Sequence, residues 1–177
     1  MIGRSINEAD AYRWPPDLGR ITPLESRHDA GLATLIRAVS AEYGLTADKG
    51  FSVADPDLDR LSAVYQQHGA EYWVVEDNEG HLLGGAGLGP MPEDKEVCEL
   101  QKMYLASTAR GKGLGRALAL HVLQQARRLG YRYCYLETTA ILPEALQLYR
   151  KLGFESCTRR GNTGHHDCEI TLMLPLG

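Results

Sequence analysis

The stretch "STARGKGLGRALALHVLQQARRLG", residues 107–130, decides the fold. Gly111, Gly113 and Gly115 fall within five positions, flanked by Arg110, Lys112 and Arg116. An apolar run at helical spacing, Leu114–Leu129, follows at once and is stopped by Gly130. A helix N-terminus leaves amide N–H groups unpaired and carries partial positive charge. Glycines remove the Cβ atoms that would hold an anion away from those amides. The three cationic side chains add full charges. The turn over 110–116 therefore reads as a cradle for a phosphate or pyrophosphate.

The flanks set this turn in a β-α-β unit. "VCELQKMYL", 97–105, has the alternation of a strand, with Cys98, Leu100, Lys102 and Tyr104 on one side. Val97, Glu99, Gln101, Met103 and Leu105 take the other. "YRYCYLETT", 131–139, is the next strand, so the pair is expected to be parallel with a right-handed crossover. Upstream, 21–26 reads as a short strand and 29–44 as a helix. A second helix over 55–69 has Pro56 at its first position. Tyr72–Val75 and His81–Leu88 form a hairpin around Asp77-Asn78-Glu79-Gly80. The run "GGAGLG", 84–89, makes the second strand weak by propensity and points to a bulge or a close approach of another group. Downstream, 143–153 is a short helix between Pro143 and Gly153. "FESCTRR" and "DCEITLMLP" are the last strands. The order is β-α-α-β-β-β-α-β-α-β-β, an α/β (mixed α+β) fold with a central mixed sheet and helices on both faces.

The 177 residues fit one domain, 21–177, behind an N-terminal arm, 1–20. A net charge of −4 disfavours a general nucleic-acid partner. No apolar run is long enough to span a membrane, and the first twenty residues are polar and broken by two prolines, unlike a signal peptide. Cys98, Cys134, Cys157 and Cys168 form no C-x-x-C pair, which suits a reducing cytoplasm. No metal site is expected. His165, His166, Cys168 and Cys157 match no compact zinc spacing. The pair His165-His166 sits in a glycine-flanked loop that either reaches a cleft mouth or is an ordinary turn. Tyr12, Trp14, Tyr43, Phe51 and Trp73 are available to wall an acceptor site, with core packing the competing reading for each.

Neither common nucleotide motif fits. The P-loop string G-x-x-x-x-G-K-[ST] is absent, and G-x-G-x-x-G fails from Gly111 and from Gly113. What remains is R-x-x-G-x-G, Arg110, Gly113 and Gly115, between a strand and an amphipathic helix. "CELQKMYLASTARGKGLGRALALHVL", then "YCYLETT", then A-x-x-x-Y-x-x-x-G-F from Ala145 to Phe154, resembles the GCN5-related N-acetyltransferase (GNAT) superfamily. The resemblance is specific over 97–154 and covers the order of elements from about residue 21 onward.

That resemblance implies a function. It makes acetyl-CoA the co-substrate, with Met103, Tyr104 and Leu105 along its pantetheine arm. The amides of Met103 and Leu105 would be the donors. Arg110, Gly111, Lys112, Gly113, Leu114, Gly115 and Arg116 would hold the pyrophosphate. It implies that the strands splay beyond 97–105 into a V-shaped cleft. A strand glutamate eleven residues before the turn makes Glu99 the expected base, with Glu137 or a water relay as alternatives. A tyrosine at this point of the later helix makes Tyr149 the expected acid. Many members carry asparagine where this chain has Leu142, so one side-chain contact to the cofactor is missing here. The expected activity is N-acetyl transfer to a primary amine of a small molecule or protein, by direct attack in a ternary complex. A non-catalytic CoA-binding module is the alternative, and a larger acyl donor and a homodimer both stay open.

Overall fold

Trp73, Val75, Ala86, Leu88, Cys98 and Leu100 alternate with Tyr72, Val74 and the glycines Gly85, Gly87 and Gly89, and this alternation separates two cores. The computed structural model describes residues 12–49, 51–164 and 167–177. Its elements are β1 (Arg20–Pro23), α1 (Asp29–Glu42), α2 (Leu61–Val64), β2 (Glu71–Glu76), β3 (Leu82–Met91) and β4 (Asp94–Leu105). After them come α3 (Leu114–Arg128), β5 (Tyr133–Thr138), α4 (Pro143–Lys151), β6 (Glu155–Ser156) and β7 (Ile170–Pro175). The order is the one expected. The seven strands lie β1-β2-β3-β4-β5-β7-β6, and only β4 and β5 pair in parallel.

One core lies between the sheet and α3 and α4. Leu114, Leu118, Val122 and Leu123 pack there on Leu88, Leu100 and Leu136. Trp14 and Leu18 also pack against it, ahead of β1. His121 lies edge-on to Trp73 at 5.0 Å and to Trp14 at 6.3 Å. Burial, aided by Arg128, pushes its pKa down to about 4, so it packs as a neutral ring. The other core joins α1 to the opposite face through Leu32, Ile36, Leu58, Leu61, Tyr72 and Val74.

Three segments depart from the sequence reading. The helix expected over 55–69 is a 3₁₀ turn, Leu58–Arg60, followed by the four residues of α2. Leu58 and Leu61 are three apart, a spacing that a 3₁₀ turn places on one side, and both are buried under α1. The Asp29 carboxylate accepts bonds from the Ser62 amide and hydroxyl at 2.8 and 2.6 Å, which ties this short turn to the start of α1. The last two strands are shorter than expected, with β6 reduced to two residues. The third departure is in β4. Its alternation breaks at Lys102, the one non-glycine at positive φ (+47°) among the described residues. Gly85 faces Tyr104 and Gly87 faces Gln101, so β4 carries an extra residue there. Beyond this bulge the faces swap. Met103 and Leu105 pack toward α3, while Tyr104 joins the α1 side.

The edge strand is fixed by a buried carboxylate. Glu76 is 1% exposed and binds Arg20, Arg27 (2.8 Å) and His28 Nε2 (2.8 Å). His28 Nδ1 accepts from the Glu25 amide at 2.9 Å, so its proton belongs on Nε2, facing Glu76. Burial alone would raise the Glu76 pKa. The bonds from Arg20, Arg27 and His28 overcome it and hold the carboxyl at about 2, below its ordinary 4.5. A depressed carboxyl contributes stability above its unfolded pKa and loses it as pH falls toward the folded value. The native melting temperature should therefore drop between pH 4.5 and about 2. Glu76→Gln should be less stable at neutral pH by about 1–3 kcal/mol, and so melt lower and show a flatter acid limb in the same thermal scans.

Candidate active site

Strands β4 and β5 pair only over Val97–Glu99 with Tyr133–Tyr135. β4 then runs on to Leu105 and β5 to Thr138 without pairing to each other, and a cleft of about 600 Å³ opens between them. One wall is Leu100–Leu105. The other is Leu136–Thr139 with Ala145, Leu148 and Tyr149 of α4. Tyr43, Leu45 and Phe51 close the α1 side. Leu45, Phe51 and Cys168 form a small apolar cluster with Leu142 packed on it. The leucine that stands in the asparagine position thus bridges the cleft by packing.

Glu99 lies at the vertex of the V, the last residue of β4 that pairs with β5, and is 6% exposed. Its Oε2 accepts from the Gln101 side-chain amide at 2.9 Å, and Gln101 Oε1 accepts from the Tyr65 hydroxyl at 2.8 Å. Glu99 and Gln101 share a face, as expected. Met103 does not share it, because the bulge intervenes. Lys102 reaches back to pair with Asp55, and its carbonyl accepts from the Tyr72 hydroxyl at 2.7 Å.

Tyr149 is buried on α4, edge-on to Phe154 at 5.8 Å, and lines the cleft. Burial first, then Tyr104 and Cys134, pushes its pKa well above the ordinary 10.0. The phenol therefore keeps its proton. Glu137 also lines the cleft, but its carboxylate is held by the Tyr135 hydroxyl (2.9 Å), Arg159 and Thr163. It anchors the 157–163 segment beside β5.

The glycine turn stands at the far end of the cleft. Arg110, Gly111 and Gly115 line it together with Met103, Tyr104 and Leu105. Gly113 is the N-cap of α3 at φ +87°, with no side-chain cap. A left-handed position of this kind favours glycine. The Ala117 amide makes the first intrahelical bond, to Gly113, so the preceding amides are open to an anion. Arg116 is exposed beside them. Two expected contributors point elsewhere. Leu114 is buried in the α3 core, which leaves only its backbone to the site. Lys112 lines a separate groove with Asp17 and Asn78. The Ala106 amide goes to the Leu83 carbonyl of β3, so the adjacent Leu105 peptide groups face the open edge.

Arg110 does more than add charge. It pairs with Glu42 at 2.7 Å, donates to the Leu105 carbonyl at 3.1 Å and stacks 5.3 Å from the centre of the Tyr43 ring. It thereby clamps the end of α1 to the glycine turn. Of the five aromatics set aside for an acceptor wall, Tyr43 and Phe51 line the cleft, whereas Trp14 and Trp73 lie on the α3 face. Tyr12 is half-buried and does not line the cleft. His165 and His166 lie outside the described residues, as do residues 1–11 of the arm.

Comparison with known proteins agrees with this geometry. The model of the acetyltransferase (GNAT) family matches residues 37–154. The chain belongs to that family, which makes it an acyltransferase. It is 52% identical over 155 residues to the uncharacterized N-acetyltransferase YjgM of Escherichia coli K12, covering 86% of this chain and 92% of that one. Mouse N-acetyltransferase 8F1 is 35% identical over 101 residues, 55% of this chain and 45% of its own length. In fold, a GNAT acetyltransferase from Staphylococcus aureus Mu50 superposes with a TM-score of 0.78 at 20% identity, over 89% of this chain and 99% of that one. Salmonella typhimurium yncA, solved with its cofactor acetyl-CoA, superposes at 0.69 and 22% identity, over 89% and 94%.

The clamp is testable without substrate. Glu42→Ala and Arg110→Ala should each destabilise modestly in urea titrations, and the double variant should cost less than their sum. A coupling of about 0.5–1 kcal/mol is expected for a partly exposed pair.

Proposed function

We propose that the chain transfers an acetyl group from acetyl-CoA to a primary amine of a small molecule or protein, by direct attack in a ternary complex. The observation that carries this reading is the placement of Glu99 at the vertex of an open β4–β5 cleft, with the uncapped glycine turn at its far end. In it, the amides from Gly113 to Arg116 hold the pyrophosphate, with the exposed Arg116 as the nearby cation. Gly111 and Gly115 keep the floor low. The open edge of β4, at Met103 and Leu105, pairs with the pantetheine arm as an added strand would. Tyr104 borders the arm from the other face.

The chemistry needs a neutral amine, a stabilised thioester oxygen and a protonated leaving thiolate. Glu99 takes the amine proton, directly or through water. The amine then attacks the carbonyl carbon, the C–S bond breaks, the sulfur takes a proton from Tyr149, and the proton shed by the new amide nitrogen returns through water to the phenolate. Burial keeps that phenol protonated, the state a general acid requires. The acidic net charge makes nucleic acid an unfavourable partner, and no helix among the described residues is long and apolar enough to cross a membrane. The four free cysteines suit a reducing cytoplasm.

Calorimetric titration with acetyl-CoA, with NAD and ATP as controls, tests the reading. Selective binding of acetyl-CoA is expected, and binding of none of the three overturns it. Gly113→Val forces a branched side chain into φ +87° and should abolish that binding while leaving the fold. In a thiol-release assay over an amine panel, Tyr149→Phe should lower turnover roughly 10²-fold with acetyl-CoA affinity unchanged. Undiminished turnover would return Tyr149 to a packing role. Binding with no turnover of any amine would favour a CoA-binding module over an enzyme.

A further inference from the structure

Strand β3 carries a glycine at every second position on the α1 face: Gly85, Gly87 and Gly89. A Cβ on Gly85 would lie 2.7 Å from the Tyr72 ring, and one on Gly87 would lie 2.5 Å from Tyr72 and 2.9 Å from Tyr65. A Cβ on Gly89 would lie 2.9 Å from Gln101 Oε1 and 3.0 Å from its Nε2. None of these distances is sterically possible without movement. The three glycines form a side-chain-free floor against which the Tyr72 and Tyr65 rings, tilted 57° to each other, and the Gln101 amide pack. Gly85 and Gly87 need this freedom for space, since neither has a positive φ.

We infer that Gln101, locked by Tyr65 and seated on Gly89, is a positioning residue that presents Glu99 in its ionised form at the cleft vertex. This rests on the reading of Glu99 as the base. The direction of the hydrogen bonds follows from their ends. An ionised carboxylate only accepts, so Gln101 must turn its NH₂ toward Glu99. Its carbonyl oxygen then faces Tyr65, whose hydroxyl donates. Burial, followed by the nearby Glu99 and Asp55 charges, raises the Tyr65 pKa, so that donor keeps its proton. With Tyr65 as donor, an amide flip would set two donors against each other at Tyr65 and two acceptors against each other at Glu99. The relay thus favours carboxylate over carboxylic acid at Glu99, which a general base requires.

Other groups also face Glu99. Lys102 on β4 is paired with Asp55, and β5 places Tyr135 and Glu137 on the same face, the latter held by Arg159. The neighbouring position of β3 is Gly89 and carries no charge. Gln101 donates to Glu99 Oε2.

The test is a carbon-13 NMR titration of glutamate side-chain carboxylates in the ligand-free protein, with Glu99→Gln supplying the assignment. Gln101→Leu should raise the Glu99 midpoint by about one pH unit, the value expected for a hydrogen bond to a charged group. Tyr65→Phe, which removes one oxygen and keeps the ring, should raise it less. Gly89→Ala, which pushes the amide off its floor, should raise it as well. Acetyl-CoA affinity by calorimetry should stay within about twofold, because the residues assigned to the cofactor, Met103–Leu105 and 110–116, lie beyond the bulge while the relay lies before it. An unchanged Glu99 midpoint in Gln101→Leu and Tyr65→Phe overturns the proposal. The two readings fail separately. If Glu99→Gln keeps full turnover while the midpoints shift, the relay stands and the base assignment falls. If Glu99→Gln is inactive and the midpoints do not shift, the base assignment stands and the relay falls.

Discussion

The site depends on one backbone constraint, the left-handed turn of Lys102 in the middle of β4. A non-glycine residue at φ +47° is costly and persists only where its surroundings hold it. Here Tyr72 donates to the Lys102 carbonyl from below, and Asp55 takes the ammonium group from the side. The extra residue reverses the facing of every later side chain in the strand. Without it, Met103 and Leu105 would point toward α1 and Tyr104 toward α3. With it, Tyr104 borders the cleft from the α1 side while Glu99 and Gln101, before the bulge, keep their places.

The bulge in turn depends on what β3 lacks. Tyr72 reaches Lys102 because Gly85 and Gly87 leave room for its ring. The same absence of side chains seats Tyr65 and Gln101. Glycine in a strand is unfavourable by propensity, and this strand carries four in eight residues, 82–89. The cost is offset by apolar burial on the other face, where Ala86 and Leu88 are fully enclosed, and by pairing on both edges. Strand β3 is therefore a floor for the site more than a contributor of side chains.

The cleft exists because β4 and β5 stop pairing at Glu99 and Tyr135. Each then needs another partner. β4 stays paired with β3 on its far side, and β5 with β7 over its whole length. The walls are held apart and also tied together. Arg110 links the glycine turn to α1, and Glu137 links β5 to Arg159 and Thr163. Two residues that sequence reasoning weighed for ligand chemistry, Arg110 as a phosphate cation and Glu137 as a second base, are engaged in holding the frame.

The sequence by itself determined the order of elements, the parallel β4–β5 pair, the glycine turn at the start of α3 and the family. Those features are local or nearly so. Hydrophobic period, capping glycines and the spacing of R-x-x-G-x-G against A-x-x-x-Y-x-x-x-G-F are all legible along the chain. Glu99 and Tyr149 were legible as candidates for the same reason. The oddity of "GGAGLG" was visible too, as a bulge or close approach, though not what approached it. Only the tertiary structure decided the bulge at Lys102, the Tyr65–Gln101–Glu99 relay and the pairing of Arg110 with Glu42. It also reduced the expected second helix to a 3₁₀ turn and a single α turn. These rest on contacts between residues 30 to 70 positions apart, such as Tyr72 with Lys102 and Arg110 with Glu42. A strand's alternation is a two-residue rule with no memory of such contacts, so one inserted residue, stabilised from across the sheet, inverts it without leaving a mark in the pattern.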